Sequence, residues 1–475
     1  MFERNGDRRI LASRPALARL AWLLITLVCA TAARAGAQRA ELERLIQHRT
    51  LPNGLEVIVI ENHGVPLVTL EAVVRNGSFT QTPEYEGLSH VYEHMFFKAN
   101  GDYPDADGVA ARAASIGALF NAETHEEEVN YYMTMPADSL DAGLLLLNSA
   151  LRRPEFSPDE LAREKVVVLG EYDRDESEPF WHLEQAMAHA LWGNAFSRKN
   201  PIGSRSVVAN VTREQMQTIQ RRYYVPNNTA LIIAGDVAPA DAFARAARVY
   251  EDWPKADDPF VANPIPPVPP VARDTGVIVE QDVGAVTVLV QWQGPSVTLD
   301  PHATFVADAF SDYLNLPGSE FQRRLVDTGL WQGVLVNYYT LAHVGPITVS
   351  GQTTPDKLRA ALPALMRELS RVGDPGYFTP EKLAQVKAHR ATDSAFGRER
   401  TSGFSHAIAF WWSVAGLDYY MRYVDEMAKQ GPSEMTQYAR RYILGQPHVT
   451  GAMLSPGVRA RLALSPADLV RLAAW

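Results

Sequence analysis

The sequence predicts an α+β protein built from two homologous halves, and three observations lead there. Strand-like stretches open the first part of the chain, a block of helices follows, and a strand-like stretch closes it. Short segments from that part recur further along at nearly one offset. Between the two copies runs a stretch so rich in proline that neither a helix nor a central strand can form there.

Taken in order, Leu51-Pro52-Asn53-Gly54 signals a turn, 55–60 reads as a strand, and 68–75 as a second. A helix begins near Tyr85, and after the segment Phe120-Asn121-Ala122 a third strand covers 128–135. Helices are expected over 138–151, 158–176, around 184–191, and over 212–224 with Thr212 as cap. Leu231-Ile232-Ile233-Ala234 then closes the unit as a strand. The run Asn263-Pro264-Ile265-Pro266-Pro267-Val268-Pro269-Pro270 reads as an extended linker. Beyond it, Phe156-Ser157-Pro158-Asp159-Glu160-Leu161-Ala162 recurs as Phe378-Thr379-Pro380-Glu381-Lys382-Leu383-Ala384, 222 residues later. Arg221-Arg222-Tyr223 recurs as Arg440-Arg441-Tyr442 at an offset of 219. Two separated matches at nearly one offset indicate a duplicated domain. The expected division is 1–37 as a secretory signal, 38–258 as the first half, 259–275 as linker and 276–475 as the second half.

The signal assignment rests on Arg4, Arg8, Arg9, Arg14 and Arg19 ahead of an apolar run from Leu20 to Ala33. Small residues, Ala33-Arg34-Ala35-Gly36-Ala37, follow it. That run is short for a transmembrane span, so no stable span is expected after cleavage, although a retained anchor is the alternative. Cys29 is the single cysteine, and its removal with the signal leaves a chain with no disulfide and no thiol chemistry. Export without cysteines fits a periplasmic location. The net charge of -10 argues against a general nucleic-acid binder.

Chemistry is carried by Gly87-Leu88-Ser89-His90-Val91-Tyr92-Glu93-His94-Met95-Phe96-Phe97-Lys98. Residues four apart on a helix lie one turn above each other, so His90 and His94 share a face and Glu93 falls beside them. Two imidazoles and a carboxylate on one face suit a catalytic zinc with a base next to its water. Five letters are equally compatible with two surface histidines near a glutamate, and the repeat helps decide. The corresponding second-half segment, Ala309-Phe310-Ser311-Asp312-Tyr313-Leu314, has neither histidine nor glutamate, which places the chemistry in the first half. A third ligand is best sought on the acidic helix carrying Glu160, Glu164, Glu171, Asp173, Asp175 and Glu176. Glu164 and Glu171 stand two turns apart on one face, flanking Val166-Val167-Val168-Leu169, and a carboxylate on a helix that buries itself needs a partner. His182 and His189 are rival ligands but read as helix decoration. His125, beside Glu126-Glu127-Glu128, reads as part of a solvated turn, and Trp411-Trp412 and Tyr419-Tyr420 as core or interface.

His90-x-x-Glu93-His94 with Glu171 77 residues beyond the second histidine resembles the pitrilysin/insulinase family of zinc peptidases, with its inverted motif order. Gly87, Met95-Phe96-Phe97-Lys98, Asn121-Ala122, Asn130-Tyr131 and Pro201-Ile202-Gly203 extend the resemblance, which covers roughly 45–455 and is strongest to short two-domain bacterial members and mitochondrial processing peptidase subunits. The resemblance implies one zinc per chain held by His90, His94 and Glu171, with Glu93 as general base. It implies that Glu164 orients a ligating histidine, and that Asn121 and Ala122 lie on an edge strand that binds the peptide by β-addition. It further implies an antiparallel sheet covered by helices in each half, the two enclosing half of a clam-shell chamber.

The pattern breaks in the second half. Family members carry there an arginine and, seven residues later, a tyrosine that grip the substrate; this chain has Leu325 and Gln332. The expectation is therefore a zinc endopeptidase subunit for peptides or unfolded segments, completed by a homologous zinc-less partner that supplies the arginine and tyrosine. A metal-binding but non-catalytic chaperone or scaffold subunit, and a peptidase dedicated to one precursor, are the alternatives.

Overall fold

The computed structural model describes residues 39–475. The expected secretory segment and Cys29 lie outside the described residues.

The first sheet has six strands: β1 (Ile46–Thr50), β2 (Glu56–Glu61), β3 (Leu67–Val74), β4 (Leu119–Thr124), β5 (Val129–Pro136) and β6 (Thr229–Gly235), in the order β1-β2-β6-β3-β5-β4. The second has β7 (Thr275–Glu280), β8 (Val286–Gln293), β9 (Gly333–Tyr338), β10 (Pro346–Thr353) and β11 (Val449–Leu454), in the order β7-β11-β8-β10-β9. Leaving out β1, one order maps onto the other strand by strand, so the duplication inferred from short matches extends to the topology. Both sheets are antiparallel except for one pair, β2 with β6 and β7 with β11. Each closing strand returns after a helical excursion, and such a connection is long enough to bring a strand back parallel.

Nine of the helices are numbered: α1 (Leu88–Phe96), α2 (Ala106–Ser115), α3 (Leu140–Arg152), α4 (Pro158–Glu176), α5 (Pro179–Trp192), α6 (Arg213–Tyr223), α7 (Pro301–Asn315), α8 (Pro380–Phe396) and α9 (Thr401–Val414). Alternation along β2, β3 and β6 sends Val57, Leu70 and Ile233 to one face of the first sheet, under α1 and α3. It sends Ile58, Val73 and Ile232 to the other. That other face is covered from the second half: Phe404, Ile408 and Trp412 of α9 pack there. The exchange is mutual. Leu183, Met187 and Leu191 of α5, a first-half helix, pack on Leu289, Val449 and Met453 of the second sheet. Gly451 makes room for this, since a Cβ there would overlap Met187 Sδ.

The exchanged contact also carries buried charge. Glu71, fully buried on β3, accepts hydrogen bonds from Ser405 Oγ (2.5 Å), His406 Nδ1 (3.0 Å) and Asn130 Nδ2 (3.0 Å). Trp412 Nε1 donates to Glu56 (2.8 Å), and the Arg75 guanidinium lies 3.9 Å from the centroid of a Trp412 ring. A buried carboxylate left without such donors costs about 3–5 kcal/mol, so these bonds fix the register of α9 on the sheet.

The turn at 125–128 is not the solvated one expected. His125 is half-buried, and Glu127 and Glu128 are only 3% accessible because the second half covers them. Nor is the proline-rich stretch free of the body: Val268 and Val271 pack against the α5 cluster, and Gln293 Nε2 donates to Pro269 O (3.0 Å).

Candidate metal centre

Helix α1 begins at Gly87, whose φ of 90° lies in the left-handed region that favours glycine. Gln81 Oε1 accepts from the Gly87 N–H (2.9 Å), satisfying one of the free donors at the helix start. Gly87 lies back to back with Gly203 (φ 84°), and a Cβ on Gly203 would overlap Gly87 Cα. This explains why Gly87 and Pro201-Ile202-Gly203, so far apart in sequence, belong to one feature. Gly203→Ala is expected to destabilise the chain by at least about 2 kcal/mol, from combined strain and overlap. Urea unfolding checks it.

The buried face of α1 carries Leu88, Val91, Tyr92, Met95 and Phe96, with Phe96 stacked on Tyr131 at 3.5 Å and Tyr92 on Tyr224 at 4.0 Å. Anchoring that face turns His90, Glu93, His94 and Phe97 into a cavity of about 580 Å³. Its lining also includes Lys98, Phe120, Asn121 to Thr124, Glu164 and Glu171, all from the first half.

His90 Nε2, His94 Nε2 and Glu171 Oε2 form a nearly equilateral triangle, with separations of 3.3, 3.3 and 3.4 Å. Donors held about 2.0–2.1 Å from a tetrahedral centre sit roughly 3.3–3.4 Å apart, so the residues present fit a zinc ion with the fourth position open. Among the described residues this is the one cluster of histidine, cysteine and acidic side chains that could hold a metal. His94 Nδ1 lies 3.2 Å from Glu164 Oε2, and Lys98 Nζ holds the other Glu164 oxygen at 2.7 Å. The Nδ1 contact leaves Nε2 of His94 free to ligate.

Electrostatics follow from burial and contact. Burial, with His94 alongside, pushes His90 down to about 4. Burial also works against protonated His94, but hydrogen bonds to Glu164 and Glu171 overcome it and raise His94 to about 9. The bond from His94 pulls Glu171 below the usual carboxylate range. A metal must therefore displace a proton here, and its affinity falls as the pH is lowered. Glu93 is pushed above the usual range by burial, opposed by the 2.8 Å hydrogen bond that Thr124 Oγ1 donates to its Oε2.

Helix α4 differs from its expected character. It buries Glu160, Leu161 and Val168, while Val166 and Val167 are exposed, because only one narrow stripe meets the rest of the fold. Glu164 and Glu171 still reach the cavity from the edge of that stripe. Glu160, one acidic candidate among several in the sequence, accepts instead from the backbone N–H groups of Ala99 (2.9 Å) and Ala106 (2.8 Å) and so fixes the start of α2. Neither His182 nor His189 reaches the cavity; His189 stacks on Phe196. Asn121 and Ala122 lie on β4, which pairs with β5 alone and leaves its other backbone edge open beside the cluster.

The second half shows what replaces the cluster. Across α7 and α8, the counterparts of α1 and α4, Arg390 bonds Asp312 through Nε (2.6 Å) and Nη2 (3.0 Å), and from the helix Leu417–Lys429 Tyr423 Oη donates to Asp308 (2.5 Å). A guanidinium joins the helix pair there. Leu325 is buried in the second core, and Gln332 is exposed beside the start of β9.

Residues 56–203 match the family described as Insulinase (Peptidase family M16), and residues 210–389 match the Peptidase M16 inactive domain. An uncharacterized zinc protease of Rickettsia felis is 23% identical over 363 residues, 75% of this chain and 85% of the relative. A mitochondrial-processing peptidase subunit beta of Dictyostelium discoideum is 28% identical over 189 residues, 40% of each chain. The crystal structure of the periplasmic protease PqqL from Escherichia coli superposes with a TM-score of 0.75 at 20% identity, covering 91% of this chain and 50% of PqqL. The duplicated topology and the two adjoining matches agree: the chain belongs to peptidase family M16, the insulinase family.

Proposed function

We propose that this chain is the zinc-bearing half of a periplasmic endopeptidase that cuts peptides or unfolded segments. The active half would be 38–258 and the metal-free half 276–475. The observation that carries the reading is the ligand triangle of His90, His94 and Glu171 beside the half-buried carboxylate of Glu93 and an open strand edge. Zinc, when bound there, would supply Lewis-acid polarisation of the attacking water and the scissile carbonyl. An extended substrate would pair with the free edge of β4 at Asn121 and Ala122, and Phe97 and Phe120, 4.5 Å apart, would flank its side chains. Glu93 would take the proton of the attacking water at its carboxylate and pass it to the leaving amine. Glu164 would hold His94 in its ligating tautomer. The Arg390–Asp312 pair supports a stoichiometry of one zinc per chain. A match to half of PqqL, and to a protein named as a subunit, supports a chamber completed by a partner.

The test is the complex purified natively from its source. Chelation should abolish cleavage of an unfolded polypeptide, and one zinc per chain should restore it; a zinc-loaded complex that cleaves nothing would leave the scaffold reading. The same preparation ranks the carboxylates. Glu171→Gln is expected to lose zinc far more readily than Glu164→Gln, whose effect should stay within the ~10–100-fold of a residue that only orients a ligand. Equal loss in chelator competition would overturn the assignment.

A further inference from the structure

No second-half residue lines the cavity, yet the second half is bonded to the turn on which one cavity residue depends. Among the described residues, Thr124 makes the one hydrogen bond to the Glu93 side chain. Thr124 is the last residue of β4, an edge strand of six residues paired on one side. The end of such a strand frays readily unless something holds the chain beyond it.

Here the chain beyond it is clamped from two directions. The turn closes on itself through His125 N–H to Glu128 O (2.9 Å), and Phe79 N–H bonds Glu126 O (2.8 Å). On the other side, the buried Glu127 carboxylate accepts from the backbone N–H of Ala342 (2.5 Å), the backbone N–H of His343 (2.9 Å) and His343 Nδ1 (2.8 Å). Both residues that donate, Ala342 and His343, lie in the loop between β9 and β10. Lys199 Nζ ties the same loop down through Val344 O (2.6 Å), and Ser413 of α9 donates to Glu128 (2.9 Å).

We infer that Glu127 is a positioning residue for the reaction: it pins the β4–β5 turn to the second half and, through Thr124, holds the Glu93 carboxylate in place. The second half would thus act on the chemistry without touching it. This rests on the peptidase reading, and its test separates the two.

In the native complex, Glu127→Gln sets an amide donor against one of the two backbone donors, whichever oxygen it replaces. It should lower kcat roughly 10- to 100-fold, the effect of misplacing a reacting group by up to 1 Å, with KM and zinc content unchanged. Thr124→Val should do the same, Thr124→Ser should restore activity, and the double variant Thr124→Val/Glu127→Gln should be no worse than either single one, since both break one link. Ser405→Ala loosens a separate cross-half contact, at Glu71, and should reduce stability while leaving kcat alone. Should Glu127→Gln not fold, His343→Ala, which keeps both backbone donors, should give a smaller effect of the same kind. A second readout needs no activity: hydrogen exchange over 119–128 in the metal-free chain should speed up in Glu127→Gln and not in Ser405→Ala. Unchanged exchange, or additive losses in the double variant, overturns the inference. A wild-type complex that cleaves nothing overturns only the peptidase reading, and exchange still decides this one.

Discussion

Glu93→Gln is expected to keep its zinc and lose at least ~100-fold in kcat/KM, because removing a general base typically costs that much or more. The substitution is close to isosteric, and the amide oxygen can still accept from Thr124 Oγ1, so the 2.8 Å contact and the strand end survive. What disappears is the proton acceptor. Burial raises Glu93 above the usual carboxylate range, making it a stronger base than an exposed glutamate. Glu93 also stands outside the triangle of His90, His94 and Glu171, so the ligands are untouched. Metal analysis beside a cleavage assay on the same sample checks both halves of the expectation. Loss of metal from Glu93→Gln would make Glu93 a ligand.

An effect larger still is expected from removing the proposed partner. The purified chain alone should cleave at least about 10³-fold more slowly than the assembled complex, since one missing donor to the developing oxyanion costs ~10²–10³ and two are missing. Leu325 is packed into the second core, and no modest motion brings a cation to its position. The neighbouring arginines are engaged elsewhere: Arg323 pairs with Glu320, and Arg324 with Glu320 at 3.2 Å and Glu368 at 3.6 Å. A second copy of the same chain would lack the same groups, so a homodimer should be no better. Adding a co-purifying homologue without His-x-x-Glu-His should restore the rate. Full activity from the isolated chain would sink the idea, as would a partner whose arginine and tyrosine can be replaced without effect.

What was legible in the sequence is what repeats or alternates locally. The His-x-x-Glu-His face, the span of α4 and the strand that follows Gly54 all follow from patterns a few residues long. The repeat was visible because two short segments kept their letters. Glu127, Glu128 and Glu71 were not legible, because their partners lie hundreds of residues away and a buried acidic turn has the same letters as a solvated one. The exposure of Val166 and Val167 escaped for the opposite reason: a run of valines suggests burial, but α4 has a neighbour on one side only. Arg390 and Asp312, which stand in place of the metal, look like ordinary helix charges until the two helices are set side by side.

The exchange of α5 and α9 makes the border between the halves a seam and not a joint. The family matches adjoin at 203 and 210, ahead of β6, the strand buried at every residue between β2 and β3. A chain severed there would lose the middle of a sheet. Severed instead at the prolines of 264–270, each fragment would keep its strands but surrender one wall of its core to the other, exposing Ile58 and Ile232 on one side or Leu289 and Val449 on the other. Two domains by ancestry are thus expected to melt as one body, and the pieces have a reason to find each other again.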